Sequence, residues 1–139
     1  NINLADACVV DANLPQQTII RLSELASIPL VCDPVSAVKA LRIIPILPSL
    51  SALKPNLSEA QALTACDSPE ECAEKLIDSG VQNVFISLGK NGLYYANADE
   101  CGHLSPAVIT SGIIIGIARK EAIRECALRG MDAARRFLQ

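Results

Sequence analysis

The sequence predicts an α/β fold, with a doubly wound, mostly parallel sheet and helices on both faces. Two short apolar runs end in aspartate, at Asp11 and Asp33, and an amphipathic segment of helical period separates them. The order strand, helix, strand, helix then continues for two more strands. Polar residues follow the third strand, at Asn56, and the fourth, at Ser87. Open α/β sheets bind ligands at the carboxyl ends of their strands, so a ligand site is expected there.

The first half of the chain predicts three strands, over residues 7–11, 29–33 and 51–54. Pro15 opens the first helix, whose apolar side carries Ile19, Ile20, Leu22 and Leu25. Two strands joined by a helix of this length form a parallel, right-handed crossover. A second helix is predicted over residues 37–46, ended by Pro45 and Pro48.

The second half predicts a helix from Asn56 to about residue 65 and another after Ser68, which stops near Gly80. Ser68 is the expected N-cap of that helix and Pro69 its first residue. Residues 81–88 are predicted to form the fourth strand, and residues 93–96 its hairpin partner. A long amphipathic helix is expected over residues 121–138.

Size and composition bear on the number of domains, on nucleic-acid binding and on membrane insertion. With 139 residues, half of them hydrophobic, the chain fits a single domain with a packed core. A net charge of -3 argues against a nucleic-acid polymer as partner. The longest apolar stretch, residues 112–118, is far shorter than the roughly 18–20 residues that span a bilayer. The first residues lack the basic and apolar parts of a signal peptide, so a soluble, cytoplasmic protein is expected.

The six cysteines are dispersed and form no C-x-x-C motif, so we expect most of them to be reduced thiols that pack in the core. Cys8 and Cys32 lie inside apolar runs, which supports this interpretation. His103 is the single histidine, and its position beside Gly102 predicts an exposed residue in a polar turn. The chain therefore shows no convincing zinc site.

Two motifs carry the functional argument. Residues 53–59, Leu-Lys-Pro-Asn-Leu-Ser-Glu, place Asn56 at a helix N-cap and Glu59 in the first turn. Residues 87–92, Ser-Leu-Gly-Lys-Asn-Gly, follow an apolar strand and turn through two glycines that tolerate positive φ. Each motif has a purely structural alternative, a capping box for the first and an ordinary turn for the second. Their combination at two strand ends favours a phosphate and magnesium site.

These motifs, together with residues 33–40, Asp-Pro-Val-Ser-Ala-Val-Lys-Ala, resemble the PfkB (ribokinase-like) carbohydrate kinases. Within that family the run at 33–40 is most similar to the pseudouridine kinase branch. The resemblance implies ATP-dependent phosphoryl transfer to the hydroxymethyl group of a sugar or nucleoside, most specifically the 5′-hydroxyl of pseudouridine. It also implies Mg²⁺ and a homodimer as one possible state of the full-length protein. A kinase for another sugar, such as ribose or fructose, and a degenerate nucleotide-binding module remain open.

The resemblance assigns roles to residues of this chain. Asn56 contacts the ATP phosphates, and Glu59 organises Mg²⁺ through water. The Ser87 hydroxyl reaches a phosphate oxygen, and the amides of Gly89, Lys90, Asn91 and Gly92 line the nucleotide. Asp33 and Lys39 lie near the sugar and the transferred phosphate. For Lys39 a solvated helix position is an equally open alternative.

The family's catalytic base has no counterpart in this sequence. It is an aspartate in a Gly-Ala-Gly-Asp turn, and here the sequence passes directly from Thr110 to Ser111. We therefore interpret residues 1–139 as the C-terminal, nucleotide-binding part of a kinase domain. A segment between 110 and 111 and the N-terminal sugar-binding half are missing from it. The chain alone is expected to be inactive.

Overall fold

A computed structural model describes residues 2–104, Ile117 and residues 122–125. Within these residues six strands form one sheet, in the order of the sequence. The strands are β1 (Cys8–Asp11), β2 (Leu30–Asp33), β3 (Ala52–Leu53), β4 (Asn83–Ser87), β5 (Leu93–Asn97) and β6 (Cys101–Leu104). β1 to β4 pair in parallel, whereas β5 and β6 are antiparallel additions at one edge. The predicted α/β sheet and the hairpin after the fourth strand are confirmed.

The helices follow the parallel strands as predicted. They are α1 (Gln16–Leu25), α2 (Ala37–Ala40), α3 (Leu57–Thr64) and α4 (Pro69–Asp78). Both α3 and α4 begin at a capping box, in which the N-cap side chain and the third helical residue bond each other's backbone amides. Because these bonds join residues only three apart, the sequence alone was sufficient to locate both helix starts.

The helix predicted over residues 37–46 is wrong in its second part. The α-helical turns end at Ala40, and a 3₁₀ helix continues over Leu41–Ser49, through both Pro45 and Pro48. Proline has no amide hydrogen and its ring clashes with the carbonyl four residues earlier, so a regular α-helix cannot pass it. The tighter 3₁₀ geometry lets the segment pass both prolines and still bury Ile43, Ile46 and Leu47.

The last described strand was missed from the sequence. His103 lies on β6, opposite Tyr94 of β5, and not in a polar turn, although it is exposed as expected. Only four residues long and at the edge of the sheet, β6 has alternating exposed and half-buried residues. Its composition resembles a turn, because a short edge strand buries little apolar surface.

Both faces of the sheet are covered. On one face, residues such as Val10, Cys32 and Leu53 pack against the helices α1, α3 and α4 and the 3₁₀ segment. On the other, Phe85 and its neighbours pack against Ile117 and Ile123, which have helical backbone. Strand residues alternate between the two faces, as the pleat requires. Helices on both faces are therefore confirmed.

Two further expectations fall mainly outside the described residues. The helix predicted over residues 121–138 is described only at 122–125, where residues 123–125 are helical. The junction between Thr110 and Ser111 lies wholly outside. In the part of the chain that the structure describes, no helix is long and apolar enough to cross a membrane.

Replacing Gly80 by alanine is expected to destabilise the fold markedly. Gly80 ends α4 with a φ of +104°, and an added Cβ would lie 2.8 Å from the Cα of Pro48. The positive φ and the backbone contact together predict a loss of about 2–4 kcal/mol in unfolding free energy, measured by urea denaturation. Gly89→Ala is the control, because its φ is +58° but nothing lies within 4 Å. Equal losses in the two variants would contradict a role for the Pro48 contact.

Candidate functional site

The carboxyl ends of the four parallel strands lie side by side. Asp11 and Asp33, the last residues of β1 and β2, are directly opposite each other in the parallel register. Beyond β3, Asn56 forms a parallel bridge with Ser87 at the end of β4. The two motifs found in the sequence, which are about 30 residues apart, are therefore adjacent at one edge of the sheet.

Asn56 and Glu59 form the capping box of α3. The Asn56 side-chain oxygen accepts a 2.9 Å hydrogen bond from the Glu59 amide, and Glu59 Oε2 accepts a 2.8 Å bond from the Asn56 amide. The structural alternative for this motif is thus present in the molecule. Glu59 is also the only buried charged side chain among the described residues, with 3% of its surface exposed. A surface cap does not require such burial, and the capping bond engages only one carboxylate oxygen.

Ser87 and the following loop lie next to this cap. The Ser87 amide donates a 2.9 Å bond to the carbonyl of Pro55, directly before Asn56. The chain then makes a 3₁₀ turn over Gly89–Asn91, closed by a 2.8 Å bond from the Leu88 amide to the Gly92 carbonyl. Gly89 and Gly92 both have positive φ, as predicted for this turn. Lys90 and Asn91 are exposed at its tip.

A lysine that sequence reasoning did not select lies directly after β3 and faces the end of β2. Lys54 Nζ is 3.9 Å from Asp33 Oδ2, and the lysine side chain is only 16% exposed. The signal was its position directly before Pro55, at the end of β3. The ammonium places a positive charge at the same sheet edge as Asn56, next to the carboxylate of Asp33.

Lys39 reaches the same edge from α2. Its Nζ donates a 2.6 Å bond to Asn13 Oδ1, while the Asn13 amide donates to Asp11 Oδ1. Lys39 is half-buried, and its ammonium lies at the end of β1. Asn13 was also not singled out from the sequence, because nothing local distinguishes it from an ordinary loop residue.

The glycine loop has a contact with the edge strand. His103 Nε2 lies 2.6 Å from the carbonyl oxygen of Asn91, at the tip of the loop. A ring nitrogen at this distance donates its hydrogen to the carbonyl. The edge strand β6 therefore helps to hold the loop in place, a role that the sequence analysis did not assign to His103.

Negative charge accumulates around Cys32, the penultimate residue of β2. Burial, followed by the charges of Asp33, Asp11 and Glu59, raises the pKa of its thiol to about 12. Among the described cysteines, which also include Cys101, all are free thiols, as expected from the sequence.

Stability at alkaline pH is expected to depend on Cys32. In the unfolded chain the thiol ionises near pH 9, whereas in the folded protein its pKa is about 12. The unfolded state loses this proton first, so the stabilisation is complete below pH 9 and disappears as the pH rises towards 12. Urea unfolding at pH 8, 9 and 10 is expected to show a shallower decline in Cys32→Ala, by up to about 1.4 kcal/mol per pH unit. The exposed Cys101, replaced by alanine, serves as control, and an equal slope in both variants would contradict the expectation.

The described residues contain no group of three or more histidine, cysteine, aspartate or glutamate side chains placed to hold a metal ion. Magnesium in phosphate-handling sites is typically bound by one or two carboxylates together with waters and substrate phosphates. Glu59, whose capping bond uses only Oε2, fits that mode of binding. The edge therefore combines an amide, a buried carboxylate, a hydroxyl, a glycine turn and two ammonium groups.

Comparison with known proteins agrees with this arrangement. The chain is 29% identical to a pseudouridine kinase of Escherichia coli over 149 residues, covering 99% of this chain and 48% of that protein. The chain thus spans about half the length of the curated relative it matches.

Solved structures share the fold. A carbohydrate kinase from Agrobacterium tumefaciens superposes with a TM-score of 0.81 at 27% identity, over 93% of this chain and 46% of the other. A ribokinase from Thermotoga maritima has a TM-score of 0.77 at 20% identity, over 91% of this chain and 48% of the other. At 20% identity, the similarity to the Thermotoga maritima ribokinase concerns the fold alone.

The family assignment rests on the length of the match. The profile of the pfkB family carbohydrate kinases matches residues 7–135, which is most of the chain and includes both sequence motifs and all six described strands. The order of the strands and the paired motifs at their carboxyl ends agree with that match. The chain therefore belongs to the pfkB family of carbohydrate kinases.

Proposed function

We propose that this chain is the nucleotide-binding part of a kinase that transfers a phosphoryl group from ATP to the hydroxymethyl group of a sugar or nucleoside. The observation that carries the proposal is the bridge between Asn56 and Ser87, which joins the two polar motifs at one sheet edge. The substrate proposed first is pseudouridine, converted to pseudouridine 5′-phosphate. The E. coli relative, which bears that activity in its name, supports this choice.

The nucleotide side of the site is supported by the donors at the ends of β3 and β4. Asn56 and Ser87 bind phosphate oxygens, and the Gly89–Asn91 turn with Gly92 lines the nucleotide. Gly89, exposed at a φ of +58°, leaves the start of this turn accessible to a polyphosphate, whereas the Asn91 and Gly92 amides donate to the carbonyls of Leu88 and Gly89. Phosphoryl transfer depends mainly on positioning and charge neutralisation, which such fixed donors provide.

The metal proposed for this site is Mg²⁺, which supplies positive charge to the transferring phosphates. Glu59 orients it through water, because its carboxylate is fixed by the Asn56 amide and buried beside the strand ends. A charge that is already oriented does not have to reorganise during the reaction. Lys54, close to Asp33, adds a second positive group on the sugar side of the nucleotide.

The acceptor side is proposed to include Asp33 and Lys39. Both lie at the ends of β1 and β2, next to the nucleotide motifs, and Lys39 is held there by Asn13. The E. coli relative is about twice as long as this chain. Most of the sugar pocket is therefore proposed to come from the half that this chain does not cover. A homodimer of the full-length protein is part of this proposal.

The catalytic base is proposed to lie in a segment between Thr110 and Ser111 that this sequence lacks. The alignment with the E. coli kinase is longer than the chain, so that relative has residues without a counterpart here. Without a base the rate typically falls by about 10²–10⁴, so we propose that the chain alone is inactive.

The proposed activity is tested with the full-length protein, in which the N-terminal half and the segment between Thr110 and Ser111 are both present. It is assayed with ATP and Mg²⁺ against pseudouridine, uridine, adenosine, ribose and fructose. Phosphorylation of pseudouridine at the highest kcat/KM supports the specific proposal. Faster turnover of ribose or fructose keeps the kinase and replaces its substrate, the alternative that the sequence leaves open. No turnover of any acceptor would rule out the kinase proposal.

A second candidate function is a nucleotide-binding module without catalysis, and the direct passage from Thr110 to Ser111 favours it. Calorimetry of this chain with ATP and with ADP separates the candidates. Micromolar binding together with an inactive full-length protein supports the module. Absence of binding would contradict both candidates for this chain.

A further inference from the structure

A strained turn follows Asp33 at the sheet edge. Val35 has a φ of +69°, and the Ser36 amide donates a 2.8 Å hydrogen bond to the Pro34 carbonyl. A bond between residues two apart around a positive φ defines the rare, strained form of the γ-turn. Valine is poorly suited to this conformation, since its branched Cβ crowds the backbone at positive φ.

Burial does not compensate for the strain. Val35 is 43% exposed, so its side chain contributes little to the core. Backbone strain of this kind persists where the surrounding structure imposes it, and it concentrates at functional sites. Ala65, the other described non-glycine residue with positive φ, lies at the end of α3, where a left-handed residue is a common helix terminator.

The turn connects the two residues proposed for the acceptor side. Towards β2, the Val35 amide donates a 3.2 Å bond to Asp33 Oδ1, while Asp33 Oδ2 faces Lys54 Nζ at 3.9 Å. Both carboxylate oxygens of Asp33 are thereby oriented. A different backbone path at Val35 would remove one of these two contacts.

Towards α2, the same turn places the helix N-cap. Ser36 Oγ accepts a 3.3 Å bond from the Lys39 amide, and Lys39 Nζ reaches Asn13 Oδ1 at 2.6 Å. The start of α2, and with it the Lys39 ammonium, is therefore set by the sharp change of direction at Val35. One strained residue determines the separation of a carboxylate and an ammonium.

We propose that the γ-turn at Val35 is a positioning element that holds Asp33 and Lys39 at the phosphoryl-acceptor side of the site. Its strain lowers the free energy of unfolding. The inference rests on the proposed kinase function and adds to it a residue that acts through its backbone. It predicts that relief of the strain with the turn kept makes the protein more stable, and that loss of the turn makes it less active.

The test uses the full-length protein with two variants. Val35→Gly adopts positive φ readily and so keeps the turn without the strain, and it is expected to raise Tm by about 2–4 °C. Val35→Pro cannot adopt positive φ and lacks the amide that donates to Asp33, so kcat/KM for the acceptor is expected to fall about 10- to 100-fold. KM for ATP is expected to stay within about twofold, because the nucleotide motifs lie on β3 and β4. Unchanged acceptor kinetics in Val35→Pro, or a lower Tm in Val35→Gly, would overturn the inference.

Two control variants isolate the turn. Ala65→Gly relieves similar strain roughly 12 Å along α3 from Asn56, so it is expected to raise Tm without affecting acceptor kinetics. Val35→Ala shortens the side chain but keeps a Cβ, and therefore is expected to retain most of the activity. An equal loss of activity in Val35→Ala and Val35→Pro would show that the side chain, and not the turn, is required, which contradicts the inference.

Failure of the kinase proposal is recognised separately, by an unmodified protein that phosphorylates no acceptor. Hydrogen exchange then decides the inference. The Lys39 amide, protected by Ser36, is expected to exchange at least threefold faster in Val35→Pro than in the unmodified protein, with no such change in Ala65→Gly. Equal exchange in all three proteins would overturn the positioning role.

Discussion

Glu59→Gln is expected to lower turnover of the full-length kinase by about 10²–10³, with little change in stability. Glutamine keeps a side-chain oxygen that accepts the bond from the Asn56 amide, so the capping box of α3 is retained. What is lost is the negative charge proposed to orient Mg²⁺. The measurement is kcat at saturating ATP and Mg²⁺, together with Tm.

The chain provides a matched control for this variant. Glu71 forms the same capping interaction with Ser68 at the start of α4, and it is exposed and belongs to a different helix. Glu71→Gln is expected to leave turnover within about twofold, as surface changes of this kind are usually small. If Glu59→Gln were as active as Glu71→Gln, then Glu59 would be a structural cap and nothing more.

Insertion of the missing segment is expected to have a comparably large effect. In a protein that carries the N-terminal half but keeps the direct junction, the Gly-Ala-Gly-Asp segment that the family resemblance implies would be placed between Thr110 and Ser111. Turnover is expected to rise by about 10²–10⁴, because the insertion supplies a general base for the acceptor hydroxyl.

The control for this experiment is the same insertion with asparagine in place of the aspartate of the Gly-Ala-Gly-Asp turn. It restores chain length but not the base. Equal activity of the two insertions would exclude the aspartate as the source of the gain. If the protein without any insertion were already fully active, the proposed absence of the base would be refuted.

Local signals in the sequence were sufficient for most of the fold. Ser68 and Pro69 located the start of α4, and Asn56 and Glu59 that of α3, since capping bonds span only three residues. The prediction was less accurate over residues 37–46. There the segment that contains the two prolines continues as a 3₁₀ helix, whereas the sequence predicted an α-helix that the prolines end. Strand β6 was missed because an edge strand of four residues has little hydrophobic pattern.

The candidate site was likewise predicted only in part from the sequence. Both motifs were found in the sequence, as polar residues directly after apolar strands. The contacts of Lys54 with Asp33 and of His103 with Asn91 were not, because each joins residues that are 12 or more positions apart. No local pattern distinguishes these two residues from ordinary surface side chains. The roles of the motif residues stay predictions until the variants above are measured.

The sequence by itself determined where strands end, where helices begin and which residue types stand at those boundaries, because these properties depend on bonds and periodicities within a few residues. Only the tertiary structure decided that the boundaries of β1 to β4 share one edge, since strand order and parallel register join distant segments. It alone also revealed the backbone conformation of Val35, which an unstrained valine would not adopt and which its neighbours impose.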